Sequence, residues 1–244
     1  MSHNRYEIKD GAIFVADVHF NPNRDGFLKF LYEIKNGDLQ TPQLFLMGDI
    51  FDFLAGEIEY FKIQNREVIE LINQLSTTTQ IFYFEGNHDY NLSKLFPNVQ
   101  VFQREIQPAL FDWNDKKVAL AHGDIFTPFG YNLYTAIIRN HPLLVFLNAI
   151  DRNNWLTKKI DFWLRGKDLT HLFSNFKNFA ENRLKSYKNN IDANIFIEGH
   201  FHQGRFYEDK ELQKLYLNLP SFGVDKSYAK VQKNELLLVY FINN

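Results

Sequence analysis

Cysteine is absent from all 244 residues. Disulfides, iron–sulfur clusters and thiolate zinc sites are therefore excluded, and any metal must be held by histidine, carboxylate or amide groups. Long apolar runs are missing as well. The two longest, "PLLVFLNAI" and "ELLLVYFI", fall well short of the roughly 20 residues needed to cross a bilayer, so the chain is not expected to span one. The opening "MSHNRYEIKDG" has no apolar centre of the kind a signal peptide requires, and no secretion is expected. Repeats and low-complexity tracts are absent. The net charge is only -2, which argues against the long phosphate track of a nucleic-acid binder.

Apolar and aromatic residues, by contrast, are plentiful. With 45% hydrophobic residues the chain can bury the core of one large domain or two small ones. The 25 phenylalanines and a 16% aromatic share exceed ordinary packing needs and leave room for an apolar binding surface. Charge is also unevenly spread. Residues 126–190 carry ten Lys/Arg against four Asp/Glu, and the remainder seventeen against twenty-five. Two surfaces with different partners are implied.

The apolar runs "AIFVADVHF", "PQLFLMGDIFD", "TQIFYFEGNHD", "KVALAHGDIF" and "ANIFIE" read as strands. "DGFLKFLYEIKNG", with Gly37 as C-cap, and "EYFKIQNREVIELINQL" read as helices. Alternation of the two predicts an α/β layered core, in which ligand sites gather at the C-terminal ends of strands. Residues 129–189 show no strand pattern and predict three or four helices, Pro142 opening the second. This segment carries Phe146, Trp155, Phe162, Trp163, Phe173, Phe176 and Phe179. Further strands, "KLYLNLP", "SYAKVQ" and "ELLLVYFI", close the chain.

Five predicted strands each run into a polar cluster: "DVH" (Asp17, His19), "GDIFD" (Asp49, Asp52), "GNHD" (Asn87, His88, Asp89), "HGD" (His122, Asp124) and "GHFH" (His200, His202). Singly each is a weak signal; together they converge at the place where an α/β fold binds ligands. If the backbone stays extended, His200 and His202 point to one side. Carboxylate, imidazole and amide oxygens suit Mn²⁺, Zn²⁺ or Fe²⁺. Seven candidate ligands exceed the needs of one tetrahedral ion. Two ions sharing a carboxylate fit better, an arrangement typical of phosphoester hydrolysis.

The ordered set DxH, GDxxD, GNHD, HGD and GHxH resembles the signature of the calcineurin-like metallophosphoesterases over nearly the whole chain. The resemblance implies an α/β (α+β) fold of two packed mixed β-sheets flanked by helices, one domain over residues 1–244 with an inserted helical cap at 129–189. It implies two divalent ions, Mn²⁺ foremost with Zn²⁺, Fe²⁺ or Mg²⁺ as alternatives. One would be held by Asp17, His19, Asp49 and His202 and the other by Asp49, Asn87, His122 and His200, with Phe201 turned into packing. His88 would assist the leaving group and Asp52 would orient it, while Asp89 and Asp124 tie down loops. His3, His141 and His171 fall outside the motifs.

Within that family the chain is most similar to the UDP-2,3-diacylglucosamine hydrolases of lipid A synthesis. "FVADVHFNPNRDGFLKFL", "LFLMGDIFDF", "FEGNHDYNLSKLF" and the helical run between HGD and GHxH carry this likeness. It implies cleavage of a nucleotide-sugar lipid to UMP and a diacylglucosamine 1-phosphate, with Asn87, His88 and Arg165 as substrate-binding residues. A monomer or weak dimer in the cytoplasm, touching the inner-membrane surface and no nucleic acid, is the matching expectation. Two features depart from the group: histidine stands at 88 where arginine is usual, and "IFTPFGY" after HGD lacks an acidic pair. They keep open a phosphatase or nucleotide pyrophosphatase acting on another phosphoester, and beyond it a non-catalytic scaffold.

Overall fold

The computed structural model describes residues 6–164, 169–187 and 191–241. In chain order the strands are β1 (Tyr6–Glu7), β2 (Ile13–Val15), β3 (Gln43–Leu46), β4 (Leu54–Ala55), β5 (Gln80–Phe84), β6 (Asp89–Tyr90), β7 (Gln100–Phe102), β8 (Ala109–Trp113), β9 (Lys116–Ala121), β10 (Ile195–Glu198), β11 (Arg205–Asp209), β12 (Lys214–Asn218), β13 (Ser227–Gln232) and β14 (Glu235–Tyr240). The helices are α1 (Gly26–Asn36), α2 (Glu59–Gln64), α3 (Arg66–Leu75), α4 (Phe129–Ile138), α5 (His141–Ile150), α6 (Trp155–Leu164), α7 (Phe176–Tyr187) and α8 (Phe222–Asp225).

Two six-stranded sheets result, ordered β1-β8-β9-β10-β12-β11 and β14-β13-β2-β3-β5-β7. Both are mixed. β2, β3, β5 and β7 run parallel to one another, as do β9, β10 and β12, and antiparallel pairings join β8 and β11 to the first sheet and β13 and β14 to the second. The central strands β3 and β10 are buried at every residue, which is why they read as continuous apolar runs instead of alternating ones. Between the sheets lies an aromatic core. Phe45 stacks on Phe14 at 4.3 Å and on Phe82 at 4.8 Å, and Phe82 meets Phe111 of the opposite sheet edge-on at 5.1 Å. Each such ring contributes about 1.5–3 kcal/mol relative to leaving it in water.

Helices cover the outer faces. α3 buries Val68, Leu71, Ile72 and Leu75 beside α1, whose Phe27, Phe30 and Leu31 join the same cluster. Gly37 ends α1 in the left-handed conformation, φ 85°, as its position predicts. The expected single helix over 59–75 is two helices, α2 and α3, meeting at Asn65, whose side-chain amide turns back to the Phe53 carbonyl at 3.4 Å. On the other sheet, α7 packs Ala180, Leu184 and Tyr187 onto Phe196 and Tyr216.

α4, α5 and α6 follow β9 and precede α7, so the strand-free stretch is helical as predicted. Pro142 sits in the first turn of α5, capped by Asn140 Oδ1, which accepts from the Leu143 N–H at 3.0 Å. Their aromatics point outward more than inward. Phe146, Trp155, Phe162 and Trp163 are exposed, and of the seven named from the sequence only Phe176 is buried. No helix among the described residues is long and apolar enough to cross a membrane.

Candidate metal centre

β2, β3 and β5 of one sheet and β9 and β10 of the other end on one rim, and each runs directly into one of the five polar clusters. Asp17, His19 and His202 place ligand atoms within 4.8 Å of one another, as do Asp49, His122 and His200, and as do His19, Asp49 and His88. Asn87 Oδ1 lies 3.3 Å from His122 Nε2, which is also 3.5 Å from Asp49 Oδ1. Asp49 thus stands between two groups of potential ligands. All seven predicted ligands come together; Arg165 and His3 lie outside the described residues.

The backbone that delivers them is unusual. Asp17, His19, Asp49, His200 and His202 all have positive φ, between 48° and 65°, a region that non-glycine residues rarely occupy. His200 and His202 are therefore not on an extended segment. Left-handed bends on either side of Phe201 send them to different groups, and Phe201 itself packs on Phe179 at 4.7 Å and under the Arg183 guanidinium at 5.2 Å. Strain of this sort costs of order 1–3 kcal/mol per residue and persists where the surroundings over-determine it. Asp89 is one such determinant: its carboxylate accepts from the backbone N–H of Asp49 (3.0 Å), Ile50 (2.6 Å) and Gly86 (2.9 Å) and from Tyr83 Oη (2.6 Å). Gly86 and Gly48 supply the close approach. A Cβ on Gly86 would strike Asp49 Oδ1, and one on Gly48, where φ is 89°, would strike the His122 ring.

Three imidazoles are oriented alike. His122 Nδ1 lies 2.9 Å from the Met47 carbonyl, His202 Nδ1 2.9 Å from that of Leu169, and His88 Nδ1 2.6 Å from that of Asp52. A carbonyl oxygen only accepts, so each Nδ1 carries a proton and each neutral ring presents the lone pair of Nε2. For His122 and His202 that lone pair faces a carboxylate oxygen, 3.5 Å away on Asp49 and 3.2 Å away on Asp17. Such an arrangement is repulsive unless a proton on Nε2 or a cation lies between. Burial pulls both imidazoles down, but Asp49 outweighs it for His122, which rises well above its ordinary value, and Asp17 outweighs it for His202, which rises to about 9. For His19 and His200 burial outweighs the nearby carboxylates and lowers them to about 3 and about 4. Asp17 Oδ1 and His19 Nε2 are buried with no hydrogen-bond partner. Orphaned acceptors, lone pairs aimed at carboxylates and an N/O donor set all fit divalent cations.

Asp52 departs from the expected role. The Nδ1 proton of His88 goes to its main-chain carbonyl, while its carboxylate accepts from Asn21 Nδ2 (2.5 Å) and pairs with Arg24 at 3.3 Å, 3.6 Å from His19 Nδ1. It braces the DxH loop, and burial raises its pKa. Asp124 is bound by Arg104 Nε at 3.0 Å. His141 meets Glu57 at 2.5 Å away from the rim.

Several supports were invisible in the motifs. Arg183 of α7 pairs with buried Glu198 (Nη2 to Oε1, 2.5 Å) and donates to the carbonyls of Gly123 and Ile125, joining the loops of His122 and His200. Gln203 donates to the His171 carbonyl (3.1 Å) and accepts from the Phe173 N–H (2.8 Å), stitching the segment before α7 onto the GHFH loop. Arg139, at the end of α4, donates to the Gly86 carbonyl and pairs with Glu85 at 3.5 Å. Only Gln203 had a sequence signal, its adjacency to His202.

Next to the cluster opens a cavity of about 570 Å³, bordered by Asn87 and His88 and walled by Tyr131, Ile137, Leu144 and Trp163 among other side chains of α4, α5 and α6.

Comparison with known proteins gives these features a lineage. A protein of Aromatoleum aromaticum named UDP-2,3-diacylglucosamine hydrolase is 29% identical over 115 residues, covering 47% of each chain. One of the same name from Vibrio atlanticus is 22% identical over 207 residues, covering 78% of this chain and 80% of that one. The chain thus spans about half the length of the first relative and most of the second. A phosphoesterase from E. coli of known structure covers 94% of this chain and 92% of its own at 12% identity and a TM-score of 0.48. Residues 12–204 match the family model described as calcineurin-like phosphoesterase. A hydrolase with candidate ligand groups at the ends of paired-sheet strands, the chain belongs to the calcineurin-like phosphoesterase family.

Proposed function

We propose that the protein hydrolyses the pyrophosphate of UDP-2,3-diacylglucosamine, giving UMP and a diacylglucosamine 1-phosphate. The observation that carries this reading is the cavity of about 570 Å³ beside Asn87 and His88. Its lining is dominated by aromatic and aliphatic side chains, which suits acyl chains attached close to the phosphoryl group. The helices from residue 129 onward, α4 to α6, act on this reading as an inserted cap. The names of the two relatives, both UDP-2,3-diacylglucosamine hydrolases, favour the same substrate.

On the proposed assignment, Asp17, His19, Asp49 and His202 hold one divalent ion, Mn²⁺ foremost, and Asp49, Asn87, His122 and His200 the other. Such a pair would supply Lewis-acid charge and lower the pKa of a bound water. The chain's own residues do the rest. The main-chain carbonyls of Met47 and Leu169 hold His122 and His202 in the tautomer that frees Nε2. His88, its Nδ1 proton held by the Asp52 carbonyl, can deliver a proton from Nε2 to the departing oxygen only as imidazolium; as the neutral ring it accepts there. The cap excludes water from the apolar side.

The exposed faces of α4, α5 and α6 support a further part of this reading. Phe129, Phe162, Trp155 and Phe146 are 81, 83, 67 and 58% exposed, and Arg152, Lys158 and Lys159 lie in the same stretch. Aromatic side chains interleaved with cations suit contact with an anionic lipid surface without insertion across it. The test is a Mn²⁺-supplemented hydrolysis assay comparing the UDP-diacyl sugar, its deacylated counterpart and an aryl phosphate. Strong preference for the acylated compound is expected; equal turnover of the first two would remove the lipid assignment and leave another phosphoester as substrate.

A further inference from the structure

A second cavity, about 210 Å³, opens on the other flank of the ligand cluster, bordered by His202. The His19 ring lies between the two flanks, 5.0 Å from the His88 ring on the side of the large apolar cavity and 5.7 Å from His202 on the side of the small one. A phosphoryl group seated over the ligands would therefore have a different chamber on each side.

The chemistry of the smaller chamber is mixed. Leu172 and Val224 offer apolar faces, while Asp225, Ser227 and Tyr240 bring polar groups to its lining. Neither the Asp225 carboxylate nor the Ser227 hydroxyl has a hydrogen-bond partner among the described residues, although Ser227 is only 3% exposed. The Asp225 carboxylate faces the His202 imidazole and holds no hydrogen bond of its own, so it selects for donors and against a second anion. Apolar walls select for a flat ring. Room for about seven waters at their liquid volume suits one nucleoside-sized group and leaves no space for a second.

We propose that this cavity is the subsite for an uncharged, hydroxyl-bearing ring group attached to the phosphorus on the side away from the apolar cavity: a nucleoside, with Asp225 accepting from its hydroxyl groups and Ser227 completing the contact. The proposal rests on the function proposed above, and it adds a direction: lipid toward His88, nucleoside toward His202. It also gives a purpose to the stitched segment at residues 169–173, whose Leu172 forms one wall while Leu169 and Gln203 fix it to the ligand loop.

The test measures UMP and inorganic phosphate as inhibitors of aryl phosphate hydrolysis by the Mn²⁺-loaded protein. UMP is expected to bind at least about tenfold more tightly than phosphate, and Asp225→Ala to remove about tenfold of UMP affinity, the size of a hydrogen bond to a charged group, with phosphate inhibition within about twofold. Ser227→Ala is expected to act in the same direction and more weakly. Equal inhibition by UMP and phosphate, or an Asp225→Ala effect shared by both, would overturn the subsite. Asp225 lies at the surface, so its variant stays informative should Ser227→Ala not fold. The two proposals fail separately. Retained UMP selectivity without turnover of the acylated substrate sinks the lipid reading alone, and turnover without UMP selectivity sinks the subsite alone.

Discussion

Between the two sheets, Phe14, Phe45 and Phe82 are at most 1% exposed and stack ring on ring; in α4 and α6, Phe129, Phe162 and Trp163 are 81, 83 and 70% exposed. The same residue types serve opposite ends in the two regions. Inside, they supply the transfer free energy that holds the sheets together. In the helical stretch they line a cavity or face outward, and the region is fastened to the rest by a few specific points: Arg139 on Gly86 and Glu85, Tyr60 on Asp161 at 3.3 Å, and the Glu59 N–H on Asn148 at 3.1 Å. An aromatic surplus in a composition is therefore ambiguous until burial is known. Here it marks both a core and an exposed aromatic face.

Four substitutions probe how far that division holds. The largest effect belongs to neither region: Asp49→Asn removes the carboxylate shared by both ligand groups and should cost several kcal/mol of transition-state stabilisation, on the order of 10³-fold in kcat. Acylated and aryl substrates should suffer alike, and a loss confined to one would mean that Asp49 acts on the substrate instead. Phe45→Ala should destabilise by about 3–5 kcal/mol, since nothing nearby can fill the space between Phe14 and Phe82. Calorimetry would register this as a fall in Tm of roughly 6–20 °C. Gln203→Leu breaks the stitch between the segment before α7 and the GHFH loop. Titration calorimetry on metal-free protein should show roughly 10–100-fold weaker binding at one of two Mn²⁺ sites, and equal weakening at both would assign Gln203 a merely structural role. The smallest effect sharpens the contrast most. Phe162→Ser should change stability by less than about 0.5 kcal/mol while reducing retention on anionic vesicles; a Tm drop as large as that of Phe45→Ala would erase the distinction between the two regions.

How much of this could be read beforehand differs by element. Strands buried on both faces announced themselves as apolar runs ending in polar residues, so β2, β3, β5, β9 and β10 and the ligands after them were legible. β1, β4 and β6, two residues each, are too short for any pattern to register, and the edge strand β11 is mostly exposed and polar. Burial and side-chain direction were illegible in α4 and α6, because helical periodicity does not say whether a partner is present to cover the stripe. Asp52 is the partner of His88 as expected, but through its main-chain carbonyl and not its carboxylate: spacing places a residue near another but does not say whether main chain or side chain makes the contact. Arg183 and Arg139 act across long sequence separations, and no local motif marks them.

The left-handed backbone at Asp17, His19, Asp49, His200 and His202 carries an evolutionary corollary. Glycine is at ease in that conformation, so a descendant freed from selection for turnover would gain stability by trading these side chains away, one at a time. Metal-free His19→Gly or His200→Gly protein, where the side chain lost makes no hydrogen bond among the described residues, should then melt no lower than its metal-free parent. The ligand loops are, in that sense, a standing concession of robustness to chemistry, and glycine at these positions in any descendant would be the scar of its surrender.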